Sequence, residues 1–437
     1  MLSGKTVAAC TLGCKTNQYE TDGMMEILKK MGASVVNFED AADVYLINTC
    51  SVTNMADKKS RQMIHRAKKL NPDAVVIAAG CYVQAAKDKL MEDDRISIII
   101  GNNKKKDIVQ ILEDYLEIGV TDEGMLDIAA EKEYEPLTIN STLEHTRAYV
   151  KIQDGCNQFC SYCIIPYVRG RIRSRELASI TEEVERLAQT GVKEIVLTGI
   201  HISSYCNDNE NEVGLADVID AISKIESIER IRLGSLEPGI ITDTFIDRIV
   251  DNKKVCPHFH LSLQSGCNTV LKRMNRKYTC EEYFEKCEML RKAFDRPALT
   301  TDVIVGFPGE TDEEFQETVD YLTKLNLYEM HIFKFSPRQG TVAAGMRDQI
   351  GPEIKNQRSD VLLALSEKNK HAYEASFRGE TLEVLIEEKV RRNGKDGYRG
   401  HTERYIDIFV EEECMHRICG REVDIINHIV QIPYGME

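Results

Sequence analysis

Residues Ala148-Tyr149-Val150-Lys151-Ile152-Gln153 read as a β-strand, and the segment behind it, Gly155-Cys156-Asn157-Gln158-Phe159-Cys160-Ser161-Tyr162-Cys163, carries three thiols in a C-x3-C-x2-C run. Further strands are expected at Glu194–Thr198, Arg230–Leu233, His258–Leu263, Leu299–Val305 and His331–Phe335. Helices are expected between and after them at Glu176–Thr190, Leu215–Ile225, Asp243–Asp251, Cys280–Phe294 and Glu313–Leu325. Repeated βα units imply a parallel sheet closed partly into a TIM-type (β/α)6 barrel, with the cysteine loop on the C-terminal face, where such folds put their active sites. Three thiolates on one short loop suit three irons of a 4Fe–4S cube and leave one iron open. The alternatives are three buried cysteines or a zinc loop. A structural zinc normally takes four ligands, and the next cysteine is Cys206.

Upstream, strand-like and helix-like runs alternate as in an open parallel α/β sheet. Strands are expected at Thr6–Leu12, Ser34–Phe38, Val44–Asn48, Val75–Ala79 and Ile96–Ile100, helices at Glu20–Met31 and Asp57–Leu70. Cys14, in Gly13-Cys14-Lys15-Thr16-Asn17-Gln18, follows the first strand. Cys50, in Asn48-Thr49-Cys50-Ser51-Val52-Thr53, follows the third, and Cys81, in Gly80-Cys81-Tyr82, the fourth. C-terminal strand ends of one parallel sheet converge on its ligand crevice. Topology alone therefore gathers three thiols that are far apart in sequence, and a second cluster is the favoured reading. Three unrelated core cysteines are the alternative.

Residues 121–144 are acidic and aperiodic, which marks a linker. A long helix is expected from Ile354 to Phe377. Beyond it, the β-branched runs Thr381–Val390, Tyr405–Val410 and Glu422–Gln431, separated by glycines, read as a small antiparallel β-barrel. Three domains follow: 1–138, 139–374 and 375–437.

The 437-residue chain is 42% hydrophobic and 29% charged, which excludes disorder as its main state. No apolar run reaches the ~18 residues of a membrane helix, and the run from Met1 to Thr6 leaves no room for a signal peptide. A cytoplasmic protein without a membrane partner is expected. Fourteen cysteines in a reducing compartment point to metal ligands and buried thiols rather than disulfides; Cys10, Cys206, Cys256, Cys267, Cys280, Cys287, Cys414 and Cys419 read as structural or free. The net charge of −15 argues mildly against nucleic acid, yet three stretches are basic: 57–69, 169–176 and 389–404.

The C-x3-C-x2-C loop behind the first strand of a partial barrel resembles the radical S-adenosylmethionine (SAM) superfamily. Together with Cys14, Cys50 and Cys81 and a terminal barrel, it resembles the methylthiotransferase family over essentially the whole chain. Within that family, the run Thr11-Leu12-Gly13-Cys14-Lys15-Thr16-Asn17-Gln18-Tyr19-Glu20 is most similar to the branch acting on N6-threonylcarbamoyladenosine at tRNA position 37. The resemblance implies two 4Fe–4S clusters, one on Cys156, Cys160 and Cys163 and an auxiliary one on Cys14, Cys50 and Cys81. It implies SAM on the open iron, cleaved to a 5′-deoxyadenosyl radical that takes hydrogen from adenine C2. Sulfur would be held at the auxiliary cluster and methylated by a second SAM. The C-terminal part would be a TRAM domain that binds RNA, and an electron donor of flavodoxin or ferredoxin type is expected.

Around SAM, the resemblance puts Tyr162 near the adenine and Val305, in Val303-Ile304-Val305-Gly306, against it. Strand ends supply Thr198, Gly199, Ser235, Glu237, Gln264 and Asp302, although each alone reads more readily as an ordinary loop polar group. Arg169, Arg171, Arg173 and Arg175 would share one face of an extended segment, suiting phosphate or carboxylate or a solvated edge. Lys58, Lys59 and Arg61 beside Cys50, and Arg391, Arg392 and Arg399 with Tyr398 and Tyr405 in the last domain, are candidate tRNA contacts, against the plainer reading of solvated faces. Rival substrates are isopentenyladenosine-37 of tRNA and a ribosomal-protein aspartate. Rival classes are a non-catalytic iron–sulfur RNA-binding protein and a zinc-bound RNA-binding module.

Overall fold

The computed structural model describes residues 2–119, 125–140, 146–206, 213–420 and 425–435. Its N-terminal sheet comprises β1 (Thr6–Thr11), β2 (Ser34–Val35), β3 (Val44–Thr49), β4 (Val75–Gly80) and β5 (Ile98–Ile100). All pair in parallel, in the order β2-β1-β3-β4-β5. Every residue of β3 is buried, because helices cover both faces. Val7, Val44, Leu46 and Ile77 pack on the side of α1 (Lys15–Lys30) and helix Ile108–Ile118. Ala8, Tyr45, Ile47 and Val76 pack on the side of Ile64 and Ala67 of α2 (Asn54–Leu70). Helix α1 begins five residues before the expected start, immediately behind Cys14, and α2 begins behind Thr53, whose hydroxyl accepts from Ala56 N as an N-cap.

Seven strands build the middle of the chain: β6 (Arg147–Asp154), β7 (Arg173–Ser174), β8 (Glu194–Gly199), β9 (Arg230–Leu233), β10 (His258–His260), β11 (Ala298–Val305) and β12 (Glu329–Lys334). Six are parallel, in two arcs, β6-β8-β9 and β10-β11-β12. Isolated parallel bridges, Ile231 to Val255 and Leu236 to Leu261, join the arcs. This is the partial barrel read from the sequence; the short antiparallel β7, at the end of β6, was not anticipated. Val150, Ile152, Leu197, Phe259, Leu261 and Val303 face the outer helices. Strand alternation therefore turns Lys151, Thr198, Arg232, His260, Asp302 and Ile304 into the lumen.

The long helix Pro352–Ala375 leads to β13 (Thr381–Arg392), β14 (Lys395–Thr402), β15 (Asp407–Glu411) and β16 (Ile429–Pro433). They form an antiparallel sheet, β15-β14-β13-β16, which is half a barrel among the described residues rather than a closed one. Strand β14 and helix Glu412–Cys419 were not anticipated. The strand expected from Glu422 starts at Ile429, and residues 421–424 lie outside the described ones. This sheet meets the barrel through Tyr405, whose ring lies 4.9 Å from the guanidinium carbons of both Arg147 and Arg232 and stacks on His401 at 4.6 Å. Tyr405 is thus an anchor between domains, not the RNA platform that its neighbouring cations suggested.

Residues 121–124 and 141–144 of the expected linker lie outside the described ones. The part between them is a strap rather than a loose tether. Ile128, Leu137 and Ile139 are buried, Tyr134 Oη donates to Lys151 O at 2.8 Å, and Glu135 accepts from Lys106 N at 2.9 Å. It ties α1 to the barrel. Among the described residues no helix is long and apolar enough to cross a membrane.

Candidate active site between two cysteine triads

The loop behind β6 turns sharply at Gly155, whose φ is +71°. A Cβ there would lie 1.7 Å from Arg171 O, so only glycine lets the segment that leads into β7 pass. Gly155→Ala is expected to cost at least the ~1–2 kcal/mol of left-handed strain and to displace the loop. Iron content after anaerobic reconstitution, well below wild type, checks it.

Backbone and cationic donors surround the sulfurs of this loop. Gln158 N donates to Cys156 Sγ at 3.4 Å, and Cys156 N donates to Gly170 O at 3.0 Å. Arg276, which no motif had singled out, donates from Nη1 to Cys160 Sγ at 3.1 Å and from Nη2 to Glu237 at 2.5 Å. Burial opposes ionisation of Glu237, but the nearby His201 ring and the charge of Arg276 outweigh it and hold the carboxyl below its usual value. His201 approaches Glu237 at 3.6 Å. A recess of about 620 Å³ opens beside the loop, with Asn157, Gln158, His201, Ser203 and Glu237 in its wall.

Burial pushes the Cys163 thiol up to about 12 and Cys156 to about 11. Cys50 is pushed to about 12, by burial first and by Cys81 second. In the metal-free chain these thiols hold protons that an unfolded chain, with thiols near 9.0, gives up. Their stabilising contribution is therefore present below pH 9 and lost as pH rises toward 12. The thermal midpoint of the metal-free chain is expected to fall more steeply above pH 9 than that of a metal-free Cys50→Ala, Cys163→Ala chain. Iron loading at neutral pH should release about one proton per ligand thiol, measurable with an indicator in weak buffer.

The other candidates around this loop fall into place or move. Tyr162 packs in a small apolar cluster with Ile304, Phe307 and Phe335. Thr198 is buried on β8, and Gly199 ends that strand so close to Gln153 O that a Cβ would sit 2.8 Å away. Ser235 is exposed. Gln264 takes φ +77° and is buried. Asp302 lies deeper, 3.4 Å from His260 Nε2. Val305 is a correction: it faces the helix layer and is 1% exposed. The pleat gives the position beside Tyr162 to Ile304, one residue earlier.

Cys14, Cys50 and Cys81 come together at the ends of β1, β3 and β4, and the Cys50 thiol is raised by both Cys81 and Cys14. A Cβ on Gly13 would sit 2.9 Å from Cys50 Sγ. Asn17 laces the turns together, donating to Leu12 O at 2.7 Å and Thr49 O at 3.0 Å. Arg338, from the loop behind β12, donates to Ser51 Oγ and Asp57, each at 2.7 Å, and so fixes the Cys50 turn against the barrel. Cys81 packs with Ile164 and Val168, the first and fifth residues after Cys163.

Arg169 connects the triads. Its Nε donates to Cys81 Sγ at 3.3 Å, its Nη1 to Asp154 at 3.1 Å, and its Nη2 to Asn17 Oδ1 at 2.7 Å. Asp154 lies two residues before Cys156. Glu20 of α1 binds Arg169, Lys105 and Lys151, and all these charges are essentially unexposed. The arginine row is therefore neither a phosphate-binding face nor a solvated edge. Arg169, Arg173 and Arg175 are buried, Arg175 against Glu183. Only Arg171 is exposed, its guanidinium carbon 4.5 Å from the centre of the Phe159 ring.

The candidate RNA contacts divide. Lys58 and Lys59 are exposed on α2, without an ion-pair partner among the described residues, whereas Arg61 donates to Tyr82 Oη at 2.8 Å. Arg391, Arg392 and Arg399 face Asp396, Asp407 and Asp407 at 3.8, 3.8 and 2.8 Å. Their charge is matched within the sheet.

Lys15 is the first residue of α1; desolvation, with the charges of Arg232 and Arg147, pushes its ammonium down to about 8. Both triads offer thiolates only, three each, with N–H donors aimed at sulfur. That set fits a cluster with one open iron better than a structural zinc.

Residues 150–322 match the Radical SAM superfamily and residues 6–101 the Uncharacterized protein family UPF0004. The Threonylcarbamoyladenosine tRNA methylthiotransferase MtaB of Bacillus subtilis (strain 168) is 41% identical over 98% of this chain and 93% of its own length. The protein of the same name from Aquifex aeolicus (strain VF5) is 40% identical over 92% and 96%. The tRNA-2-methylthio-N(6)-dimethylallyladenosine synthase of Thermoanaerobacter pseudethanolicus (strain ATCC 33223 / 39E) is 36% identical over 94% and 89%. Among solved structures, the radical S-adenosylmethionine methyltransferase TsrM from Kitasatospora setae superposes with a TM-score of 0.57 at 15% identity, covering 78% of this chain and 77% of TsrM. That likeness concerns the fold.

Proposed function

Because this chain belongs to the radical SAM methylthiotransferase family, we propose that it adds a methylthio group to C2 of N6-threonylcarbamoyladenosine at position 37 of tRNA. The family brings a 4Fe–4S cluster and SAM; the second cluster is part of the proposal. The observation that carries it is the pairing of two three-thiol sites across one buried Arg169–Asp154 link. One site serves hydrogen abstraction and the other sulfur. Of the relatives described above, the two named for threonylcarbamoyladenosine share more identity with this chain than the one named for dimethylallyladenosine.

Cys156, Cys160 and Cys163 would hold the first cluster, and Cys14, Cys50 and Cys81 the auxiliary one. Once bound, these groups and SAM supply abstraction of hydrogen from an unactivated C–H bond and the sulfur that replaces it. Arg276 holds Glu237 and Cys160 in one geometry, so the SAM pocket and the cluster loop move together. Tyr162 and Ile304 offer an apolar wall for the adenine. Arg169 places a fixed positive charge 3.3 Å from Cys81 Sγ. Lys58 and Lys59 draw the phosphate backbone toward the Cys50 side. A flavodoxin- or ferredoxin-type protein supplies the electron.

Nucleoside mass spectrometry of tRNA from cells lacking this protein tests the reading. Loss of 2-methylthio-N6-threonylcarbamoyladenosine with accumulation of its unmodified precursor is the expected result. Loss of the isopentenyl counterpart instead would move the substrate, and an unchanged profile would point to a ribosomal-protein aspartate.

A further inference from the structure

Three side chains in the second arc of the barrel meet without serving either cysteine triad. His260 ends β10, Asp302 lies in β11 and His331 in β12. The parallel register sets His331 beside Asp302, and His260 beside Thr300, two residues before Asp302. Partners in register share a face of the sheet, and so do residues two apart along a strand. All three side chains therefore leave the face turned to the lumen. One ligand atom from each lies within 4.8 Å of the other two. The two imidazole rings lie 5.6 Å apart and 22° from parallel.

The spacing is that of ligands rather than of a hydrogen bond. His260 Nε2 and Asp302 Oδ2 are 3.4 Å apart, beyond the roughly 2.7–3.2 Å of an N–H···O bond. Two ligands about 2.1 Å from one tetrahedral ion stand about 3.4 Å apart. Among the described residues no group donates a hydrogen bond to the Asp302 carboxylate, and none pairs with the His331 ring nitrogens. The far side of the His260 ring is held, because Nδ1 pairs with Thr300 Oγ1 at 3.0 Å. With Nδ1–H donating to that hydroxyl, Nε2 keeps a lone pair on the side of the carboxylate. Two acceptors that face each other call for a cation between them. His331 is exposed on the edge strand of this arc, so a side-chain rotation closes its remaining separation.

We propose that His260, Asp302 and His331 bind a divalent transition-metal ion inside the barrel, separate from the thiolate triads. Two imidazoles and a carboxylate suit zinc or ferrous iron, whereas magnesium and calcium prefer oxygen ligands alone. Three protein ligands leave a further position for water or for an oxygen of a bound molecule. Thr300 is a positioning residue: its hydroxyl fixes the ring and tautomer of His260, as the outer partners of metal-bound histidines do. Asp302, expected from the sequence beside SAM, is then a metal ligand. The site goes beyond the methylthiotransferase reading and stands without it.

The probe is zinc, added in slight excess to reconstituted full-length protein that has been freed of loosely held ions on a chelating resin. Metal counting and the X-ray absorption fine structure of zinc are the first readouts. Wild type should retain about one zinc per chain, with nitrogen and oxygen neighbours at about 2.0–2.1 Å. Zinc found only with sulfur at about 2.3 Å sits on cysteines and overturns the proposal. So does the absence of retained zinc, which leaves His260 and Asp302 as a plain ion pair. Competition with a chelating dye then gives affinities. His331→Ala and Asp302→Asn should bind zinc about 10²-fold more weakly or worse, and Thr300→Val about tenfold more weakly. Iron content equal to wild type shows that a variant has folded. If Asp302→Asn or Thr300→Val loses iron, His331→Ala decides, because its side chain is exposed. An unchanged affinity in His331→Ala overturns the site, and an unchanged affinity in a folded Thr300→Val removes the positioning role.

Discussion

A Cys81→Ala chain is expected to cleave SAM and yet insert no sulfur into tRNA. A Cys160→Ala chain is expected to do neither. Each triad is built from its own elements, β1, β3 and β4 for one and the loop behind β6 for the other, so losing a ligand on one side need not unfold the other. Reconstituted wild type should carry roughly eight irons per chain and either variant roughly four. The measurements are iron and sulfide content, 5′-deoxyadenosine release and nucleoside mass spectrometry on the same samples. If Cys81→Ala keeps both its iron content and methylthio transfer, the auxiliary cluster does not exist as drawn. If Cys160→Ala still cleaves SAM, the assignment of the first cluster fails.

Arg169→Met is expected to destabilise the chain by about 3–5 kcal/mol, the usual cost of removing one partner from a buried ion pair. The methionine fills the space but leaves Glu20 and Asp154 short of their shared cation, with Lys105 and Lys151 as the remaining partners. Cys81 loses its guanidinium donor in the same step. Thermal or urea unfolding of the metal-free protein isolates the stability effect. Adding Glu20→Gln to Arg169→Met should recover part of the loss, because the neutral side chain no longer needs the charge; no recovery would sink the ion-pair account. The network also predicts acid sensitivity. Burial works against ionisation of Glu20, but Arg169, Lys105 and Lys151 overcome it and hold the carboxyl well below 4.5. Its stabilising contribution is thus present above the unfolded value and lost as pH falls below it.

Much of this organisation was readable along the chain. The C-x3-C-x2-C loop follows an apolar strand, and local spacing suffices to gather its thiols. Cys14, Cys50 and Cys81 are distant in sequence, but the ends of parallel strands share one edge of a sheet, so pattern and topology together predict their meeting. The half-barrel at the C-terminus was legible as β-branched runs between glycines, but β14, rich in glycine and charge, was not, because its packing partners rather than its composition make it a strand.

The sequence by itself determined the order of the main βα units, the two groups of three cysteines that the fold gathers and the family, because each depends on residues that are neighbours or on the period of hydrophobic positions. Tertiary structure decided the phase and the partners. Val303 and Val305 face outward and Ile304 inward only because helices cover one side of β11. Arg169 is a buried link, not a phosphate contact, only because Glu20 arrives from a helix about 150 residues away. Tyr405 serves the barrel and Arg391, Arg392 and Arg399 find carboxylates nearby, because docking consumes side chains that composition would leave free. Arg276 stayed silent in the sequence for the same reason: a lone cation has no period, and its meaning comes from what the fold sets around it.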